Sequence, residues 1–131
     1  MFKISPIQSK DEQIAVAEAC GSSYKDGAFG YAMRDSETGA LMGFSQFEIN
    51  GDGGLLLDLR PAVNDDDYEA MFILGRATMN FIDMCGTHFL KAFSSSGDNT
   101  LLRAIGLRPT EDGNFACDMT GFFDGSHCSG H

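Results

Sequence analysis

The long apolar segment from Tyr68 to Cys85, closed by Gly86, limits the folds open to this chain. As a helix it places Met71, Leu74, Thr78, Ile82 and Cys85 in one stripe, which Phe72, Ala77, Phe81 and Met84 widen. A helix apolar over so much of its circumference must be buried against a sheet and against a further element. Just ahead of it lies the compact run Leu55-Leu56-Leu57-Asp58-Leu59, bounded by glycines and by Arg60-Pro61, which reads as a buried strand. The connection between the two, Asn64-Asp65-Asp66-Asp67, sits where a strand hands over to a helix N-terminus, a natural anion site. It carries three aspartates.

The remaining segments supply the sheet. Phe2-Lys3-Ile4-Ser5 alternates and stops at Pro6, which suits a first strand. Ser9 and Glu12 form a capping-box pattern for a short helix ending at Gly21. Phe29 to Arg34 and Ala40 to Ile49 flank Asp35-Ser36-Glu37-Thr38-Gly39 as a hairpin. In the second of these strands Phe44, Gln46 and Glu48 share one face, and Ser45, Phe47 and Ile49 the other. A further turn, residues 50 to 54, leads into the leucine run, so three antiparallel strands follow in sequence. After Gly86, residues 87 to 93 read as a strand, residues 100 to 105 as a short helix capped by Asp98 or Asn99, and residues 114 to 119 as a last strand. The expected fold class is α+β, a mixed but mostly antiparallel sheet with a central packed helix, in the order β-α-β-β-β-α-β-α-β. Residues 1–123 form one domain and residues 124–131, rich in glycine and serine, a flexible tail.

At 131 residues and 43% hydrophobic, the chain has enough apolar material for one packed core. Its net charge of −10 opposes nucleic acid and anionic membrane surfaces, both of which need Lys and Arg. No window approaches the length of a membrane span, and the N-terminus lacks the pattern of a signal peptide. Cys20, Cys85, Cys117 and Cys128 therefore read as reduced thiols in the cytoplasm.

In element order and in particular residues the chain resembles the GNAT superfamily of acyl-CoA-dependent N-acetyltransferases. The resemblance spans about Phe2 to Met119. It rests on the strand ending at Leu59, on Arg60-Pro61, similar to the family's Val-x-Pro, and on Asn99 to Leu107, which looks like the family's Asn…Tyr-Glu-x-x-Gly-Phe stretch with Asn99 and Gly106-Leu107 in place. It implies an acetyl group passed from acetyl-CoA to a small-molecule or peptide amine. It also implies Asp58, or Glu48 on the neighbouring strand, as the base, and backbone groups near Leu57 and Leu59 as holders of thioester and pantetheine. The family's diphosphate loop, Gln/Arg-x-x-Gly-x-Gly/Ala, falls on Asp66, Asp67, Tyr68, Glu69, Ala70 and Met71, where neither glycine is present. Each carboxylate there would oppose a diphosphate by about 1 kcal/mol or more, though it suits the helix terminus. The family's general-acid tyrosine falls at Leu102, which has no proton to give. These departures imply divergence at the acyl-CoA pyrophosphate loop. They leave an alternative, a catalytically inactive GNAT-fold module for binding or homodimerisation, to which an apolar Phe122-Phe123 strand stub adds weight.

Three other features have plain readings. Asp58, set between leucines, either faces solvent at a groove edge or needs a partner. Cys85 and His88 straddle a helix end without an evident orienting group, so they read as a packed thiol and a satisfied histidine. His127, Cys128 and His131, with Cys117, are metal-ligand types but fit no paired spacing, so no metal site is assigned.

Overall fold

A computed structural model describes residues 1–122 apart from Asp52, Asn64 and Asp66. Its elements run β1 (Phe2–Pro6), α1 (Lys10–Ala19), β2 (Phe29–Asp35), β3 (Leu41–Asn50), β4 (Gly53–Pro61), α2 (Tyr68–Met84), β5 (Phe89–Ala92), α3 (Asn99–Ile105), β6 (Arg108–Pro109) and β7 (Phe115–Asp118). The strands form one sheet in the order β1-β2-β3-β4-β5-β7-β6. Only β4 and β5 are parallel, with α2 as their crossover. The α+β class and the order expected from sequence are those observed, with β6 added. That two-residue strand lies at the sheet edge, where a proline costs no ladder bond.

Local chemistry sets the boundaries. The Ser9 hydroxyl accepts the Glu12 amide at 3.1 Å and starts α1. In the β2–β3 turn Asp35 accepts the amides of Glu37 and Thr38, and Gly39 takes the left-handed conformation at φ 76°. Asp67 caps α2 and Asp98 caps α3.

The sheet carries a core on each face. On one face α2 and α3 cover Met33, Phe47, Leu56, Leu59, Leu90 and Phe115. On the other α1 covers a smaller cluster of Val16, Ala17, Cys20, Ala32, Phe44 and Ala62. Met71, Leu74, Thr78 and Ile82 form the buried stripe of α2 as expected. Cys85 and Met84 do not belong to it. Both are exposed, whereas Ile82 in the same turn is fully buried. Phe122 is not a strand stub. It closes over the Arg76 guanidinium, 4.9 Å from its ring, and Phe72 lies on the same cation at 5.1 Å. Phe123 and the tail with His127, Cys128 and His131 lie outside the described residues.

One irregularity positions everything that follows. Gln46 pairs with Asp58 but Phe47 pairs with Leu56, so Leu57 is an extra residue opposite no partner. Such a bulge breaks the two-residue alternation. Leu56 and Leu59 thereby both enter the α2 core, while Asp58 turns to the α1 face.

Candidate functional site

Asp58 is 1% exposed, so it does not face solvent. Four groups close on its carboxylate. Oδ1 accepts the Ser22 hydroxyl at 2.9 Å and Arg60 Nε at 2.7 Å; Oδ2 accepts Lys25 Nζ at 2.6 Å and Gln46 Nε2 at 2.9 Å. Burial pushes this carboxyl up, but the hydrogen bonds from Lys25, Arg60, Ser22 and Gln46 outweigh it and hold the group below the usual carboxylate range. Gln46, fully buried, extends the network: its Oε1 accepts Gln13 Nε2 and the Lys25 amide, each at 3.0 Å, and its Nε2 donates to the Ser23 carbonyl. The segment between α1 and β2 is therefore tied to the centre of the sheet by one aspartate and one glutamine. The nearby Cys20 thiol is pushed up to about 12, by burial first and then by the Asp58 charge.

Lys25 and Arg60 keep 37% and 33% of their side chains exposed. Asp58 thus lies under a surface made of its own two cations. The Lys25 ammonium makes the shortest of the four contacts to the carboxylate, at 2.6 Å. Glu48, the other candidate base, is half-buried and stands across from Leu55, outside this network.

At the N-terminus of α2 the Asp67 and Ala70 amides are engaged by side chains. The Asp67 carboxylate accepts the Ala70 amide at 3.0 Å, and Asp65 accepts the Asp67 amide at 3.1 Å. Ala70 is fully buried, Glu69 is exposed, and Tyr68 donates its hydroxyl to the Thr100 carbonyl at 3.4 Å. A groove of about 220 Å³ remains, lined by Pro61, Asp67, Tyr68, Met71, Asp98 and Leu101. Two helix caps put carboxylates on it. Asp66 lies outside the described residues, and Asn99 is an exposed residue at the start of α3.

The edge of β4 is engaged as well. β5 pairs with β4 only from Gly54 to Leu56, and beyond that point the two strands part. Ser94 to Gly97 fold into the gap. The Ser96 carbonyl accepts the Leu59 amide at 2.8 Å, and its hydroxyl donates to the Leu56 carbonyl at 2.7 Å. Gly97 lies against the Leu59 carbonyl so closely that an added Cβ would stand 2.7 Å from that oxygen. Leu57 is half-buried at the bulge. Several of the groups that the resemblance assigns to the pantetheine and to the diphosphate, the Leu59, Asp67 and Ala70 amides among them, are thus bonded within the chain in this arrangement. Arg60 joins the two regions, bonding Asp58 through Nε and the Ser95 carbonyl through Nη2.

Sequence reasoning singled out Asp58, Leu57 and Leu59, which the bulge brings to one point of β4. It missed Lys25, Ser22, Gln46, Arg60 and Ser96. Gln46, set between Phe44 and Phe47 in β3, carried the one visible signal. His88 also has an orienting partner that the sequence did not show: Nδ1 lies 2.5 Å from Asp83 Oδ1 across the end of α2. Its ring lines an open cavity of about 330 Å³ with Gly51, Gly53, Thr87, Asp118 and Thr120. Among the described residues no group of three or more His, Cys, Asp or Glu side chains could hold a metal, and no helix is long and apolar enough to cross a membrane.

No protein-family model matches the chain, and no curated protein matches it. Solved structures do, in 13 chains. The ribosomal-protein-S18-alanine N-acetyltransferase of Escherichia coli is 13% identical, with 91% of this chain and 94% of that one covered and a TM-score of 0.65. The IAA acetyltransferase of Bacillus cereus is 15% identical, with 84% and 79% covered and a TM-score of 0.64. YhhK of Escherichia coli, proposed to be an N-acetyl transferase and solved with coenzyme A bound, is 15% identical, with 90% and 98% covered and a TM-score of 0.65. At such identities the likeness is one of architecture, and it extends over nearly the whole described chain. This protein has the fold of the GNAT N-acetyltransferases.

Proposed function

We propose that the chain is a GNAT-like acyltransferase-family protein whose donor is a CoA thioester and whose acceptor is a small-molecule or peptide amine. The observation that carries this reading is the bulge at Leu57, which aims a buried carboxylate to one side of β4 where β4 and β5 part. In this reading Asp58 receives the acceptor as it now receives Lys25, through an ammonium hydrogen bond, and takes up the proton that the amine loses. The ion pair with Lys25 must first open, because a carboxylate held below its usual range is a weak base. Glu48, on the same face of β3 two residues beyond Gln46, is the alternative base.

A second reading, the alternative to be excluded by experiment, starts from the hydrogen bonds at the helix start and the strand edge. Asp67, Asp65 and Ser96 hold the groups a CoA molecule would use. On that reading the protein is a binding or homodimerising module with a closed groove. Thermal unfolding with acetyl-CoA separates the two. Ligand at a hundred times its dissociation constant adds about 2.7 kcal/mol, a rise of several degrees in Tm for a domain of this size. Such a rise, with acetylated amine formed in the presence of Asp58 and lost in Asp58→Asn, supports the first reading. An unchanged Tm at millimolar acetyl-CoA leaves only the second.

A further inference from the structure

We propose that Ser94–Gly97 is a strap that closes the free edge of β4, and that a ligand with an extended amide-bearing arm enters only by displacing it. The nature of that ligand rests on the acyltransferase reading; the strap does not.

Three observations carry the inference. Ser96 is fully buried although it is a serine in a run of small polar residues. Its polar atoms are spent on β4 and on the turn itself: hydroxyl to the Leu56 carbonyl, carbonyl from the Leu59 amide, and hydroxyl from the Phe93 amide at 2.9 Å. It therefore presents to the strand one acceptor and one donor, as an extended amide chain would. Gly97 is the residue that permits the approach, since any side chain there meets the Leu59 carbonyl. Arg60, bonded to both Asp58 and the Ser95 carbonyl, makes the strap and the carboxylate network one connected unit. Opening the strap removes the Arg60–Ser95 bond and leaves the guanidinium held by Asp58 through Nε, so a ligand that displaces the strap also loosens the site on the other face of the sheet.

The test is Gly97→Ala in the full-length chain. Gly97 is not in the left-handed region, so alanine is conformationally allowed and acts only through its Cβ, which pushes the strap off Leu59. Amide hydrogen exchange followed by NMR reads the edge directly, and titration with acetyl-CoA reads the site. The Leu59 amide should exchange at least tenfold faster in Gly97→Ala while amides of α2 are unchanged, and acetyl-CoA should bind the variant at least tenfold more tightly than the wild type. Faster Leu59 exchange with acetyl-CoA binding by neither protein keeps the strap and removes the acyl-CoA reading. Equal affinity in both proteins, or Leu59 exchange as slow in the folded variant as in the wild type, overturns the strap even if acetyl transfer is observed. If Gly97→Ala does not fold, Ser96→Ala, which deletes the hydroxyl's bonds to Leu56 and Phe93, is read by the same two measurements against the same outcomes.

Discussion

Replacing Asp58 by asparagine removes one charge and leaves the shape of the side chain. Two charge-assisted hydrogen bonds disappear, from Lys25 and Arg60, each of a kind that contributes about 1.5 to 3 kcal/mol when well buried. Both cations are a third exposed and can return to water, which lowers the loss. Gln46 cannot, and its amide is left facing an amide that competes for the same donors. The net effect should be about 3 kcal/mol at neutral pH. The dependence on pH carries the sign. Asp58 titrates lower in the folded protein than in the unfolded chain, so its stabilisation is present above the unfolded value, about 3.9, and drains away as pH falls through the folded value. Urea unfolding followed by circular dichroism should show the wild type and Asp58→Asn well apart at pH 7 and drawing together below pH 4. A gap under about 1 kcal/mol at pH 7, or one that does not narrow in acid, refutes the argument that the buried carboxylate is held charged by its partners.

Three further outcomes follow from the packing. Thr78→Val strands the fully buried Ser45 hydroxyl, now 2.8 Å from Thr78 Oγ1, and should lose about 1 to 3 kcal/mol, whereas Ser45→Ala with Thr78→Val should recover most of it in the same denaturation assay. Gly75→Ala gains about 1 kcal/mol of helix propensity, yet its Cβ would meet Ile105 at 2.9 Å and Leu59 at 3.0 Å, so the net change in Tm should be downward. Alkylation at pH 8 followed by mass spectrometry should modify exposed Cys85 and leave Cys20 unreacted, because burial pushes the Cys20 thiol up to about 12.

The residues explain why some of this was legible in the sequence and some was not. The leucine run, the capping residues and the long apolar helix are local signals, and the fold they imply is the fold observed. The bulge at Leu57 is not local. It is a relation between β3 and β4, and no periodicity in either strand records it. Without it Asp58 would share a face with Leu56, so the sequence could flag an aspartate among leucines but could not say which side it served. The partners of Asp58 come from positions 22, 25, 46 and 60, three of them polar residues in ordinary surroundings. Ser96 is still less legible, since a serine run reads as solvated loop until tertiary structure lays it on a strand. At the end of α2 the error ran the other way. Apolar Met84 and Cys85 continue the stripe in sequence, but both are exposed where Ile82 in the same turn is buried.

The unequal cores on the two faces of the sheet give the molecule two thresholds. The α2 side is mostly hydrocarbon, with one buried hydroxyl pair, Ser45 and Thr78, inside it. The α1 side pairs Phe44 and five small or medium apolar residues with a knot of charge centred on one carboxylate. Loss of the Asp58 charge in acid should therefore loosen α1 and residues 22–28, a local opening that amide hydrogen exchange at low pH would read.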